Sequence, residues 1–202
     1  MVKLLVLYYS AGGSTRRLAH LVARGIEEYG AEAIIRCVPR VSSQAEKQPL
    51  TVPESGDLYA KLSDLEHCDG LLVGSPTRFG NMAAPLKYFI DQTSQLWMNG
   101  RLADKPVSFF TSTSSLHGGQ ESTLLSMMLP FIHHGMVICG LPVKETALMH
   151  TSSGGTPYGV SHWNGLSNDR AISDDEKKLA IAQGKRTAMF AQRLKQKQTN
   201  TN

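Results

Sequence analysis

Ser10-Ala11-Gly12-Gly13-Ser14-Thr15 stands between an apolar run, Val2 to Tyr9, and an amphipathic run, Arg16 to Tyr29, and the reading of this stretch decides the fold. Leu4, Leu5, Val6 and Leu7 are apolar without alternation, the pattern of a strand buried on both faces. Beyond the loop the period changes: Leu18, Leu21, Val22, Gly25, Ile26 and Tyr29 recur at helical spacing, and Gly30 supplies a stop. The first turn of a helix leaves backbone N–H groups unpaired and carries partial positive charge, so its natural ligand is an anion. Gly12 and Gly13 let the backbone bend closely around such a group, Ala11 adds little bulk, and Ser10, Ser14 and Thr15 offer hydroxyl donors. Arg16 and Arg17, unfavourable in a first helical turn on their own, fit an anion held there. No Lys follows the glycines, so this is not the triphosphate-binding P-loop, and adjacent glycines do not match the G-x-G-x-x-G dinucleotide fingerprint. Taken alone, the stretch reads equally as a Gly/Ser turn that caps a helix.

A chain of 202 residues suits one domain with a full core. Its longest apolar stretches, Gly70 to Val73 and Met136 to Leu141 among them, are far too short to span a bilayer, and Val2 to Tyr9 lacks a signal-cleavage pattern. The expectation is a cytoplasmic protein without membrane insertion. Cys37, Cys68 and Cys139 are odd in number and widely spaced, which fits reduced thiols rather than a disulfide frame. Seven histidines without ligand spacing make no case for a metal site. The net charge of +4 and pI near 9.0 come from scattered basic residues, with no nucleic-acid module, and fit a small anionic ligand instead of nucleic acid.

Strands and helices alternate along the rest of the chain. Ala33 to Val38 reads as a second strand, Arg40 to Gly56 as a surface loop, and Leu58, Leu62 and Leu65 as a short helix. Gly70 to Gly74 is a third strand, followed by a loop from Ser75 to Met82, and Pro85 starts the next helix, with Trp97 after its end. Pro106 to Phe110 makes a fourth strand, followed by the hydroxyl-rich Thr111 to Gly119. A helix from about Gln120 to His134 is closed by Gly135, and Met136 to Leu141 is a fifth strand. Pro142 to Ile172 shows little periodicity, and loops of that length are functional or mobile. Ser173-Asp174-Asp175-Glu176 is a capping box that opens a last helix reaching about Leu194, which leaves 195–202 as a disordered tail. Five strands joined by helical crossovers predict an α/β fold, a doubly wound parallel sheet of order 2-1-3-4-5. In that order the loops after strands 1, 3 and 4 meet at one end of the sheet. One can hold a phosphate, and the other two can flank a planar group of nucleotide-like size.

Five motifs, in order, then carry a family likeness. Leu7-Tyr8-Tyr9-Ser10, Gly74-Ser75-Pro76-Thr77-Arg78-Phe79-Gly80-Asn81-Met82, Gly118-Gly119-Gln120-Glu121, His133-His134-Gly135-Met136 and Gly154-Gly155-Thr156-Pro157-Tyr158-Gly159 together resemble the WrbA-type NAD(P)H:quinone oxidoreductases. These are flavodoxin-like FMN proteins of the tryptophan-repressor-binding type, and the resemblance runs from residue 1 to about 194. It implies a flavodoxin-like three-layer sandwich in a single domain, 1–194, and two-electron reduction of quinones by NADH or NADPH through non-covalent FMN, with ping-pong hydride transfer.

Carried onto this chain, the resemblance places the FMN phosphate in Ser10, Ala11, Gly12, Gly13, Ser14 and Thr15. It places the isoalloxazine against Thr77, Arg78 and Phe79 on one side and Ser112, Thr113, Ser114, Ser115, Leu116 and His117 on the other. His133 is expected beside the flavin in a supporting role, and Trp97 at the quinone site. Members of the family are homotetramers with sites near subunit contacts, so Trp97 or His133 is expected to serve its own flavin or a neighbour's. Gly12 departs from the family, many of whose members carry an aromatic residue there on the nicotinamide side, and Ser114-Ser115-Leu116-His117 replaces a glycine-rich loop. Two other functions share the pattern: a flavodoxin-type one-electron carrier, against which the basic pI argues, and a regulatory flavoprotein scaffold without turnover. A phosphoacceptor receiver domain shares the strand order but needs acidic residues where Tyr8-Tyr9-Ser10 stands.

Overall fold

Leu4, Leu5, Val6 and Leu7 are inaccessible to solvent and form the centre of the first strand, β1 (Lys3–Tyr8). The structure, a computed structural model, describes residues 1–41, 53 and 55–199, with 196–199 described by backbone alone. Alternate side chains of β1 feed two cores. Leu5 and Leu7 pack with Phe89, Phe109 and Phe131 on one face, while Leu4, Val6 and Tyr8 pack with Leu18, Val22 and Ile26 on the other. A strand with two buried faces gives the three-layer arrangement directly.

The first helix, α1 (Ser14–Glu28), buries the stripe Leu18, Val22 and Ile26. There follow β2 (Glu32–Cys37), α2 (Leu62–His67), β3 (Gly70–Arg78) and a short return strand, β4 (Asn81–Met82). Next come α3 (Ala84–Asp91), with Pro85 in its first turn, α4 (Ser94–Met98), which contains Trp97, and β5 (Pro106–Thr113). The remainder is α5 (Gln120–His133), β6 (Val137–Ile138), α6 (Ala147–His150), β7 (Val160–Trp163) and α7 (Asp174–Thr199). Helix α5 ends as expected before a left-handed Gly135 at φ 77°. The capping box at α7 is present: Ser173 N–H donates to Glu176 Oε2 at 2.8 Å and Glu176 N–H to Ser173 Oγ at 3.2 Å.

The parallel sheet runs β2-β1-β3-β5-β6, with β7 also on β5, which is the expected 2-1-3-4-5 order with its fifth place divided. Met136 to Leu141 contributes only two ladder residues, opposite Pro106 and Val107, whereas β7 takes the place beside Phe110 to Thr113. The chain leaves the edge after Cys139, because Pro142 has no N–H to continue a ladder, and re-enters at Val160. Thus the segment read as aperiodic hides a strand. Strands β3 and β5 also run further than expected, through Arg78 and Thr113, since Ser75 and Thr111 hydrogen-bond within the sheet rather than forming turns. Helix α7 continues to Thr199, past the expected end near Leu194. Of the other expectations, the loop from Arg40 to Gly56 falls mostly, and the tail beyond Thr199 wholly, outside the described residues.

Helices α1 and α7 cross where both lack side chains. A Cβ on Gly25 would stand 2.1 Å from the Ile181 carbonyl oxygen, and one on Gly184 2.1 Å from that of Val22. Among the described residues, no helix is long and apolar enough to cross a membrane.

Candidate functional site at the carboxyl rim

The loop after β1 turns into α1 at Gly13, whose φ of 88° is left-handed and favours glycine. Ser10 Oγ accepts from Gly13 N–H at 3.0 Å, which folds the loop back on itself. No acidic residue occupies the first turn of α1, and no side chain caps it. Among the described residues the backbone N–H groups of Ser14, Thr15 and Arg16 have no hydrogen-bond partner. Thr15, buried, places its Oγ1 2.8 Å from Ser112 Oγ at the end of β5. Ser14 hydroxyl accepts from Arg17 at 3.1 Å and from Asn164 Nδ2 at 3.2 Å.

The loops after β3 and β5 converge on the same rim. Strand β3 returns through a two-residue turn, Phe79-Gly80, between the pairs Arg78↔Asn81 and Thr77↔Met82. Both turn residues have positive φ, 54° and 76°, as a tight hairpin of this hand requires. Phe79 is fully exposed, and Arg78 is exposed with its guanidinium folded onto the Thr77 carbonyl at 2.8 Å. Thr77 Oγ1 lies 2.7 Å from Thr123 Oγ1 of α5, and a Cβ on Gly119 would stand 3.1 Å from the Gly80 Cα. In the loop after β5, Ser112 and Thr113 are buried at the strand end, whereas Ser114, Ser115 and His117 are exposed and Leu116 is half-buried. Thr113 hydroxyl donates to the Ser115 carbonyl at 2.7 Å and Gln120 Nε2 to that of Leu116 at 2.6 Å. Thr15–Ser112 thus ties the loop after β1 to the end of β5, and Thr77–Thr123 ties the β3 hairpin to the start of α5.

Trp97 and His133 lie elsewhere. Helix α5 begins at the carboxyl end of β5 and runs back along it for 14 residues, about 21 Å, so His133 sits at the amino rim. There Trp97 stacks on its ring, centroids 5.2 Å apart, and donates its indole N–H to the His133 carbonyl at 3.1 Å. The antiparallel return of α5 thus carries His133 to the opposite end of the sheet from its own chain's three loops. Its neighbour His134 is buried, and Nε2 bonds Thr93 at 2.8 Å; burial, with His133 alongside, pushes its pKa down.

Sequence reasoning missed a strap from the long aperiodic segment. Asn168, left-handed at φ 57°, donates Nδ2 to the Gly12 carbonyl at 2.6 Å and accepts the Ser14 hydroxyl. Asn164 bonds both Ser14 and Asn168, and its buried Oδ1 has no partner. Trp163 donates its indole N–H to Ser114 at 3.2 Å. The only signal in the sequence was the density of turn-forming Asn and Gly. A second missed group stands beside the loop: Asp57 accepts from Tyr8 at 2.6 Å, Arg16 at 3.3 Å and His20 at 3.1 Å. Burial would raise the Asp57 carboxyl, but Tyr8, His20 and Arg16 outweigh it and hold it below the usual range; burial and Asp57 push the Tyr8 phenol up.

The donor set fits a phosphate dianion: free amides at a helix start, the loop hydroxyls of Ser10 and Thr15, and Arg16, whose carboxylate partner Asp57 is shared with Tyr8 and His20. The phosphate of FMN would meet that requirement.

Comparison with known proteins agrees with this geometry. Residues 2–143 match the sequence model of the NADPH-dependent FMN reductase family. A protein from Syntrophobacter fumaroxidans named NAD(P)H dehydrogenase (quinone) is 39% identical over 201 residues, covering 96% of this chain and 98% of the relative. One of the same name from Gluconacetobacter diazotrophicus is 40% identical over 198 residues, covering 96% and 99%. The crystal structure of a flavodoxin, WrbA-like protein from Agrobacterium tumefaciens superposes with a TM-score of 0.66 at 24% identity, covering 96% and 99% of the two chains, and so shares the fold.

Proposed function

The chain belongs to the NADPH-dependent FMN reductase family, and from that premise we infer that it reduces quinones to hydroquinones with electrons from NADH or NADPH, through FMN held without a covalent bond. One observation carries this reading: Thr15–Ser112, at 2.8 Å, and Thr77–Thr123, at 2.7 Å, tie the first turn of α1 to the end of β5 and the β3 hairpin to the start of α5, along one rim with an anion-seeking helix start. The relatives at about 40% identity carry the quinone dehydrogenase name.

In this assignment Ser10 to Thr15 hold the phosphate, with Thr15 Oγ1 and the free amides of Ser14 to Arg16 as donors. Thr77, Arg78 and Phe79 support one side of the isoalloxazine, and Ser112 to His117 the other. When bound, FMN supplies hydride acceptance from the nicotinamide and hydride donation to the quinone, one after the other at one face, so the kinetics are ping-pong. The protein's share is positioning and electrostatics. Backbone amides of the loop after β5 stabilise charge at the ring edge.

The Trp97–His133 stack belongs to a subunit contact in a homotetramer. Both rings are exposed at the amino rim, far from their own chain's loops, so their route to a flavin is a neighbour's rim. A cytoplasmic setting fits the three free cysteines, and the fold reads as a single domain over residues 1–194.

Added FMN, followed anaerobically by NADH and then benzoquinone, tests the reading in one cuvette. Bound flavin should bleach with NADH and recover its absorbance with the quinone. Failure to retain FMN, or retained FMN that neither donor bleaches, overturns it.

A further inference from the structure

Along the outer face of α1 a cleft of about 1050 Å³ runs from the phosphate loop to the first turn of α7. Its walls are cationic: Arg16, Arg17, Arg24, Arg170 and Lys177 stand against one carboxylate, Asp169. Three of the five already have partners, Arg16 with Asp57 at 3.3 Å, Arg24 with Glu28 at 2.8 Å and Lys177 with Asp174 at 3.1 Å. Arg17 and Arg170 have no carboxylate partner among the described residues. Arg17 reaches only the Ser14 hydroxyl, and Arg170 lies with its guanidinium carbon 3.6 Å over the Trp163 ring.

An aromatic face holds a guanidinium in place while leaving its N–H fork directed at solvent, the geometry that suits a phosphate monoester. Leu21, Ala171 and Ile172 give the cleft an apolar floor between these cations. The combination matches a flat heterocycle carrying a phosphate dianion, and the volume is in the range of nucleotide pockets. Gly13 and Asn168 line the cleft and also belong to the phosphate loop and its strap, so the cleft opens directly from the rim.

Resting on the function inferred above, we propose that this cleft seats the 2′-phosphoadenosine end of the electron donor, with Arg17 and Arg170 reading the 2′-phosphate, so that the protein discriminates for NADPH against NADH. Nothing in the redox step requires these residues; they select the donor.

Calorimetric titration of the FMN-loaded protein with adenosine 2′,5′-bisphosphate and with 5′-AMP, at low ionic strength, reads the cleft directly. The bisphosphate is expected to bind about tenfold tighter or better, as a charge-assisted phosphate contact gives, and to weaken as salt is raised. Arg170→Leu should abolish the difference, Arg170→Lys should restore part of it, and the ratio of kcat/KM for NADPH to that for NADH should fall about tenfold in Arg170→Leu. Should Arg170→Leu fail to fold, Arg17→Met, which removes the other guanidinium of the pair, carries the test with the same expected direction. Equal affinity for the two adenylates overturns the proposal, as does tight bisphosphate binding with an unchanged donor ratio, which would mark a separate nucleotide site. Arg170-dependent bisphosphate binding in a protein that oxidises neither donor leaves the cleft standing and removes the redox reading. Turnover of both donors with no dependence on Arg170 does the reverse.

Discussion

The carboxamide of Asn168 donates to the Gly12 carbonyl at 2.6 Å, tying a left-handed residue of the late strap to a loop 156 positions earlier in the chain. A Cβ on Gly12 would stand 2.8 Å from that same Nδ2, so the bare glycine and the carboxamide occupy complementary space. Asn168→Ala removes the bonds to Gly12, Ser14 and Asn164 and also sets an alanine at φ 57°. Its expected cost is about 2–4 kcal/mol, the sum of three lost hydrogen bonds and the left-handed backbone. Asn168→Gly loses the same bonds without the backbone penalty, so urea midpoints should place it between wild type and the alanine variant. An alanine variant as stable as the glycine one would remove the backbone part of this account.

Phe79 combines full exposure with a positive φ of 54°, a conformation a bulky side chain adopts at a cost of order 1 kcal/mol. Such strain at a hairpin tip is consistent with a residue kept for what it touches. Phe79→Gly should therefore raise stability by about 0.5–1 kcal/mol in urea unfolding while weakening FMN binding, measured by fluorescence titration, several-fold. A variant that gains stability and keeps full FMN affinity would show that the ring contributes nothing to the flavin seat.

Glu176 gathers four donors in a buried position: His162 Nδ1 at 2.9 Å and the backbone N–H groups of Gly154, Ser173 and Trp163 at 2.8, 2.8 and 3.1 Å. Burial alone would raise its pKa, but the hydrogen bonds from His162 and the backbone, with the His162 charge, outweigh burial and hold it below the usual glutamate value. A carboxyl with a lowered native pKa binds fewer protons folded than unfolded just below the ordinary value of about 4.3. Its stabilisation is then complete above that pH and is lost as pH falls toward and through the lowered native value. Glu176→Gln should cost about 2–4 kcal/mol at pH 7, because an amide N–H faces donors it cannot accept from. The difference from wild type should shrink as unfolding is repeated from pH 5 downward. A difference that stays constant over that range would detach Glu176 from acid stability.

How much of this was legible beforehand follows from where each signal is stored. Strand β1 and helix α1 announced themselves because local periodicity reports burial, and the sheet order followed from alternation and crossover handedness. Ser10 to Thr15 was legible as the turn between those two periods and Ser75 to Met82 as a run of turn formers, but the pairing of Thr77 and Arg78 with Met82 and Asn81 was not. Val160–Trp163 was not: four residues beside Gly159 and Asn164 carry no periodic signal, and their pairing with Phe110 to Thr113 is a tertiary fact. Asn168 was hidden because Gly12 and Ser14, which it binds, lie at the far end of the sequence, and Arg170 because its seat on Trp163 depends on a strand that no periodicity announced. His133 was read correctly as the end of a helix, but only the length and direction of α5 reveal which rim that end reaches.

Thr15 and Ser112 offer the sharpest separation of stability from function. Their hydroxyl oxygens are 2.8 Å apart and both side chains are buried, so each satisfies the other. Thr15→Val keeps the shape and strands the Ser112 hydroxyl, at an expected cost of about 1–3 kcal/mol. Adding Ser112→Ala removes the orphan, and the double variant should recover most of that stability, since removing both partners of a buried pair is nearly neutral. FMN affinity should not follow. If the Thr15 hydroxyl also serves the phosphate, both Thr15→Val and the double variant bind FMN about tenfold or more weakly, while Ser112→Ala alone binds it nearly as wild type. Urea unfolding of the four proteins gives the first comparison and flavin titration the second. Recovery of FMN binding in the double variant, in step with stability, would mean that Thr15 supports the loop and does not touch the phosphate.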